Sequence, residues 1–255
     1  MKIGFFDSGV GGLSVLYEGF LRLKDASFVY YADRDNVPYG TRSDEQIRTL
    51  LSKGIEFLIA QGCEAVVIAC NTASSVASRD YRAGFNAQIV AMEPAVKLAL
   101  DTHPNARVVV AATPVTIKGD KLKNLLGTLD SSKVDLIELP RLVEFAENAD
   151  FAPTAYIKSL ELSDYDIFVL GCTHFNYFKK EIKKHNMQLS FIDGNFGTIK
   201  HLANKLNLEL LERENAALSE LLKRCEFFIS GKVANEKQMD LITKCLAQLK
   251  VVHRI

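Results

Sequence analysis

The stretch "VVIACNTAS" (residues 66–74) has a counterpart in "FVLGCTHF" (168–175): an apolar run, a small residue, a cysteine, and a threonine within two positions of it. Runs this short and this uniformly apolar, with no polar alternation, read as strands buried on both faces. Strands of that kind belong to parallel sheets covered by helices. The polar residues after each cysteine then mark the point where strand gives way to helix.

Working outward, similar apolar stretches recur at 2–6, 28–32, 88–92, 107–112, 134–139, 189–193 and 225–230. Most are separated by ten to twenty residues with helical spacing, such as "SDEQIRTLLSKGIEFLIAQG" at 43–62. Alternation of this kind, without Asn-Gly or Asp-Gly hairpin turns, predicts an α/β protein of mostly parallel sheets flanked by helices. Residues 1–94 hold four strand–helix units and 107–206 hold four more. Two similar lobes are expected, 1–94 plus 207–255 and 95–206, with the tail strand returning to the first lobe and the functional site in the cleft between them.

The composition sets limits. The chain has 255 residues, 48% apolar and 24% charged, with 31 basic residues against 31 acidic ones. That balance gives no reason to expect nucleic acid or an anionic membrane as partner. The N-terminal "MKIGFFDSGVGG" turns polar and glycine-rich too early for a signal peptide, and no apolar run approaches the ~18 residues of a membrane span. A soluble, cytoplasmic protein is expected. Five scattered cysteines, an odd count with no close pair, fit reduced thiols rather than a disulfide framework.

Ligands of open parallel sheets bind at the carboxyl ends of strands, beside the free N–H groups of the next helix. The strand ends here carry Asp7-Ser8 and a glycine-rich turn, Pro38-Tyr39-Gly40, Cys70-Asn71-Thr72, Thr113 with Thr116, and Cys172-Thr173-His174. Each has an ordinary reading: a buried cysteine is usually a small hydrophobe, and "DSGVGG" lacks the G-x-G-x-x-G dinucleotide spacing. Their conjunction says more. Two lobes that each end a strand on cysteine place two thiols on facing walls of one cleft, surrounded by amide and hydroxyl groups suited to a carboxylate. Zinc is disfavoured because the cysteines are scattered and Cys-x-His is not the usual ligand spacing. A redox dithiol stays open, although such pairs usually sit in C-x-x-C on one element. The third chemistry that fits is proton transfer at a carbon held between two thiols, inverting a stereocentre.

The motifs "GFFDSGVGGLSVL", "VPYGTRS", "VIACNTAS", "EPAV", "TPVTI", "LVE" and "LGCTHF", in that order along the chain, resemble the cofactor-independent glutamate racemases of the aspartate/glutamate racemase superfamily. The resemblance implies that Cys70 and Cys172 are the acid/base thiols, assisted by Asp7 and His174, with Glu144 near the second thiol. It implies substrate contacts from Asp7, Ser8, Pro38, Tyr39, Gly40, Asn71, Thr72, Thr113, Thr116, Thr173 and His174. Glutamate as substrate, no cofactor or metal, D-glutamate supply for peptidoglycan, and room for a homodimer follow from the same resemblance. An aspartate or other acidic amino-acid racemase, or a non-catalytic receptor for an acidic ligand, stays open at this stage.

Overall fold

The computed structural model describes residues 1–213 and 215–255. The strands are Lys2–Asp7 (β1), Ser27–Ala32 (β2), Ala65–Ile68 (β3), Gln88–Ala91 (β4), Val108–Ala112 (β5), Val134–Glu138 (β6), Ile167–Leu170 (β7), Ser190–Ile192 (β8), Cys225–Ile229 (β9) and Lys232–Val233 (β10). They form two sheets, ordered β10-β9-β2-β1-β3-β4 and β6-β5-β7-β8. All pairs are parallel except the short edge pair β9–β10, so the architecture is α/β as the alternation predicts.

Burial explains the local choices. β3 and β7 are buried at every position, as uniformly apolar runs require when helices cover both faces. β6 lies at an edge and is the polar exception: Asp135 and Glu138 face solvent, pairing with Arg107 and Lys118, which blunts an otherwise open edge. The helix Asp44–Ala60 starts at a capping box between Ser43 and Gln46, and buries Ile47, Leu51, Ile55 and Leu58 along one face against β1.

The tail strand β9 pairs with β2 in the first sheet. The helix Asn195–Leu206, which the sequence reading counts with the second lobe, packs instead against the helix Leu13–Arg22 and against β4. Its Ile199, Leu202 and Ala203 join Phe5 and Phe20 in a core that continues to Phe168 and Phe175 of the second lobe. One apolar seam therefore runs through both lobes, and this helix belongs by packing to the first. Among the described residues no helix is long and apolar enough to cross a membrane.

Each sheet has a point where successive strands leave in opposite directions. In the first it falls between β1 and β3, and in the second between β5 and β7. Crevices for ligands open at such points, at the carboxyl ends of the strands. Asp7 and Cys70 end the first pair; Thr113 and Cys172 end the second.

Candidate active site

Cys70 occupies the cap position of the helix Asn71–Val76, where Ala73 N donates to its Sγ at 3.4 Å and Ser8 Oγ lies 3.6 Å away. Burial, reinforced by the neighbouring Asp7 charge, pushes this thiol up to about 12. Asp7 is itself fully buried. Its Oδ1 accepts from Gly9 N at 2.8 Å and its Oδ2 from Thr173 Oγ1, across the seam, at 3.1 Å. Burial raises the Asp7 carboxyl to about 6, despite the opposing pull of His174. A carboxyl poised there exchanges protons readily near neutrality.

The second thiol has its own partner. Cys172 Sγ lies 3.7 Å from His174 Nδ1, and His174 Nε2 lies 2.8 Å from Glu147 Oε1. Burial alone would lower the His174 pKa, but its bonds to Cys172 and Glu147 hold it well above the ordinary imidazole value. Glu147 is nearly enclosed. Burial opposes its charge, yet His174, the Val10 N–H at 2.6 Å and Arg34 keep its pKa below the usual carboxylate range. Arg34 reaches it from the first lobe, with Nε 2.6 Å from Oε2 and Nη2 2.8 Å from the Glu147 carbonyl.

Hydroxyl groups complete the wall. Thr72 Oγ1 and Thr113 Oγ1 stand 2.9 Å apart across the seam, and Thr116 Oγ1 extends the chain at 3.1 Å. Tyr39 donates to Asp33 Oδ2 at 2.6 Å, which fixes the turn carrying Gly40. A Cβ on Gly40 would lie 2.9 Å from that of Thr113, so glycine permits the lobes to meet here. Gly11 serves the same purpose on the other side, where a Cβ would press on the His174 ring and, at 2.5 Å, on Thr173 Oγ1. Both catalytic candidates are 5% exposed, so the lobes are closed over them. Among the described residues no group of three or more His, Cys, Asp or Glu side chains could hold a metal ion.

The arrangement thus sets two thiols at the ends of two opposed sheets, one backed by a carboxyl near its titration point and the other by an imidazole held charged. No protein-family model matches the chain. It is 45% identical to a glutamate racemase of Campylobacter concisus, over an alignment spanning all of both chains. Its fold matches a crystal structure of glutamate racemase from Campylobacter jejuni with TM-score 0.78, at 25% identity over 99% of each chain. It also matches that from Aquifex pyrophilus with TM-score 0.72, at 30% identity over 97% of this chain and 95% of the other.

The chain belongs to the glutamate racemase family. As a glutamate racemase family member it is an isomerase.

Most residues expected from the motifs gather at this one site: Asp7, Ser8, Tyr39, Gly40, Cys70, Thr72, Thr113, Thr116, Cys172, Thr173 and His174 are all buried there. Asn71 is beside them, its Oδ1 buried and without a hydrogen-bond partner among the described residues. Pro38 differs, lying exposed before the turn while Tyr39 and Gly40 point inward. Glu144 differs more. It sits on the solvent side of the helix Pro140–Glu147, and the carboxylate that reaches His174 is Glu147, three residues later. Helical geometry is the reason. Val143 and Glu147 are four apart on the buried stripe, as are Leu142 and Ala146, whereas Glu144 falls outside it. That spacing was present in the sequence; the "LVE" resemblance drew attention to the wrong turn. Arg34 carried no such signal because its partner Glu147 lies 113 residues away, and Asp33, which accepts from Tyr39 six residues on, stands in a turn with no periodicity to mark it.

Proposed function

We propose that the protein interconverts L- and D-glutamate by cofactor-free proton transfer between two thiols, Cys70 and Cys172, acting on opposite faces of Cα. The observation that carries this reading is the pairing of the two cysteines at the switch points of two sheets, joined across the seam by the Thr173–Asp7 bond. Glutamate as the substrate rests on the relatives, which are named for it.

In this scheme the lobes open to admit substrate and close on it. The hydroxyl and amide groups of Ser8, Asn71, Thr72 and Thr173 receive the substrate's polar ends, and the unpartnered Asn71 Oδ1 is an acceptor for its ammonium. Cys172 sulfur, with the charged His174 imidazole at its side, takes up the proton of L-glutamate and holds it as the S–H. The Cys70 thiol, protonated at neutral pH by virtue of its pKa near 12, delivers a proton to the other face. Asp7 then resupplies Cys70. The reverse direction uses the same groups with roles exchanged. Exclusion of water strengthens every electrostatic contact to the carboxylate as it gains enediolate character, which is where a reaction without a delocalising ring finds its stabilisation. The D-glutamate formed would feed peptidoglycan synthesis.

The test is racemisation of L-glutamate by enzyme and buffer alone in deuterated water, followed by circular dichroism and by proton NMR. The wild type should place deuterium at Cα as it inverts. Cys70→Ser and Cys172→Ser should each lose about 10²–10⁴-fold in racemisation, the usual contribution of an acid/base group. Wild-type inversion by either variant would falsify the two-thiol scheme.

A further inference from the structure

Past the turn that carries His174 lies a polar cavity of about 250 Å³, lined by the helix Leu13–Arg22, the residues following Cys172, the head of the helix Asn195–Leu206 and the C-terminal helix Glu236–Val252 with His253. Two side chains in its wall have buried polar atoms with no hydrogen-bond partner among the described residues, Ser14 Oγ and Asn195 Oδ1. The residues are only 5% and 6% exposed. A buried polar atom left unpaired is costly and uncommon, and both of these belong to side chains that line the one small chamber.

The charges around them restrict that partner. Arg22 Nε is 2.8 Å from Glu18 Oε1, and Lys179 Nζ is 3.0 Å from Asp193 Oδ2. His253 Nε2 lies 3.6 Å from Glu18 Oε2, and burial lowers its pKa, so it adds little positive charge at neutral pH. Two carboxylates and two permanent cations cancel. Neither a simple anion nor a metal cation finds a net field here. Asn195 Oδ1 can only accept, so the ligand must present a donor, and Lys179 retains ammonium protons for an acceptor beside it. The chamber falls below the volume usual for drug-sized ligands, which limits the occupant to something small.

We propose that this cavity binds a small zwitterion of the free α-amino-acid class, its ammonium on Asn195 Oδ1 and its carboxylate on Ser14 Oγ and Lys179 Nζ. The site is separate from the one between the thiols and does not depend on the reaction assigned to them. It is nonetheless in touch with that reaction, because Asn176 lines the cavity and donates from Nδ2 to the Thr173 carbonyl at 3.2 Å.

Isothermal titration of the full chain with glycine and L-serine, against inorganic phosphate and glycerol as controls, tests the assignment. Saturable binding of the zwitterions alone is expected. Asn195→Leu should weaken it about tenfold, as loss of one hydrogen bond to a charged group does, and Asn195→Asp should restore it. Ser14→Ala gives an independent reading, and thermal melting checks that each variant folds. Thr173→Val, on the catalytic side, should leave the binding unchanged. The proposal is overturned if no probe saturates the protein, if phosphate or glycerol binds as well as the zwitterions, or if Thr173→Val abolishes binding while Asn195→Leu does not.

Discussion

Replacement of Asp7 by Asn should make the protein more stable and less active at once. The Asp7 carboxyl is raised from 3.8 to about 6, chiefly by burial. A shift of that size corresponds to about 3 kcal/mol, at 1.36 kcal/mol per pKa unit. For a carboxyl whose folded-state pKa lies above its unfolded value, the folded form binds the proton more tightly. Stability is then greatest below the unfolded pKa and is lost as pH rises through the folded one. At about pH 8 the wild type therefore bears the whole cost of ionised Asp7, and at about pH 4 almost none of it. Asparagine cannot ionise. Its amide oxygen can still accept from Gly9 N, and its NH₂ can face Thr173 Oγ1, so both hydrogen bonds have replacements. Urea unfolding followed by circular dichroism should show Asp7→Asn gaining up to about 3 kcal/mol at pH 8, with the gain vanishing toward pH 4. In thermal unfolding the same gain raises Tm by about 6–12 °C, taking 2–4 °C per kcal/mol for a chain of this size. Racemisation should fall by about 10²–10⁴-fold if Asp7 resupplies Cys70. A variant no more stable than wild type at pH 8, or one whose gain is the same at both pH values, would mean that ionised Asp7 carries no such burial cost.

Glu147→Gln removes the charge that His174 and Arg34 face, and should destabilise the fold by about 3 kcal/mol, the scale for breaking a buried pair. It should also move the imidazole limb of the pH–rate profile downward; Glu144→Gln, exposed, should stay within about 0.5 kcal/mol of wild type with an unchanged profile. Gly11→Ala forces a methyl group against Thr173 and His174, and should cost about 1–3 kcal/mol with a larger loss in kcat than in substrate binding, measured by steady-state kinetics and melting. Tyr39→Phe leaves Asp33 Oδ2 without its donor inside the protein, an expected loss of about 1–3 kcal/mol visible in urea unfolding.

The parts of the fold that were legible in the sequence are those whose signal is local. β3 and β7 are uniformly apolar because both faces are covered, and a run of that kind announces itself without knowledge of its neighbours. The residues at their ends were legible for the same reason, since the carboxyl ends of parallel strands collect ligand groups whatever the fold's details. Glu147 was half legible. Its place on the buried stripe of an amphipathic helix could be counted from Val143, but the reason for burying a carboxylate there lies in Arg34 and Val10, more than a hundred residues away. The helix Asn195–Leu206 shows the limit from the other side. Its periodicity is plain, yet periodicity does not say which lobe the apolar face meets, and the packing against Leu13–Arg22 places it with the first.

The amino-acid pattern was enough for the α/β class, for every described strand except the two-residue edge strand β10, and for the two cysteines that close the central strands, because each follows from a few neighbouring residues. The tertiary structure alone decided which carboxylate meets His174, how Asp7 of one lobe comes to be bonded by Thr173 of the other, and that Ser14 and Asn195 share a cavity. The physical reason is that hydrogen bonds and charges act over a few ångströms in space, and the chain brings its distant segments within that range only when the apolar seam between the lobes is packed.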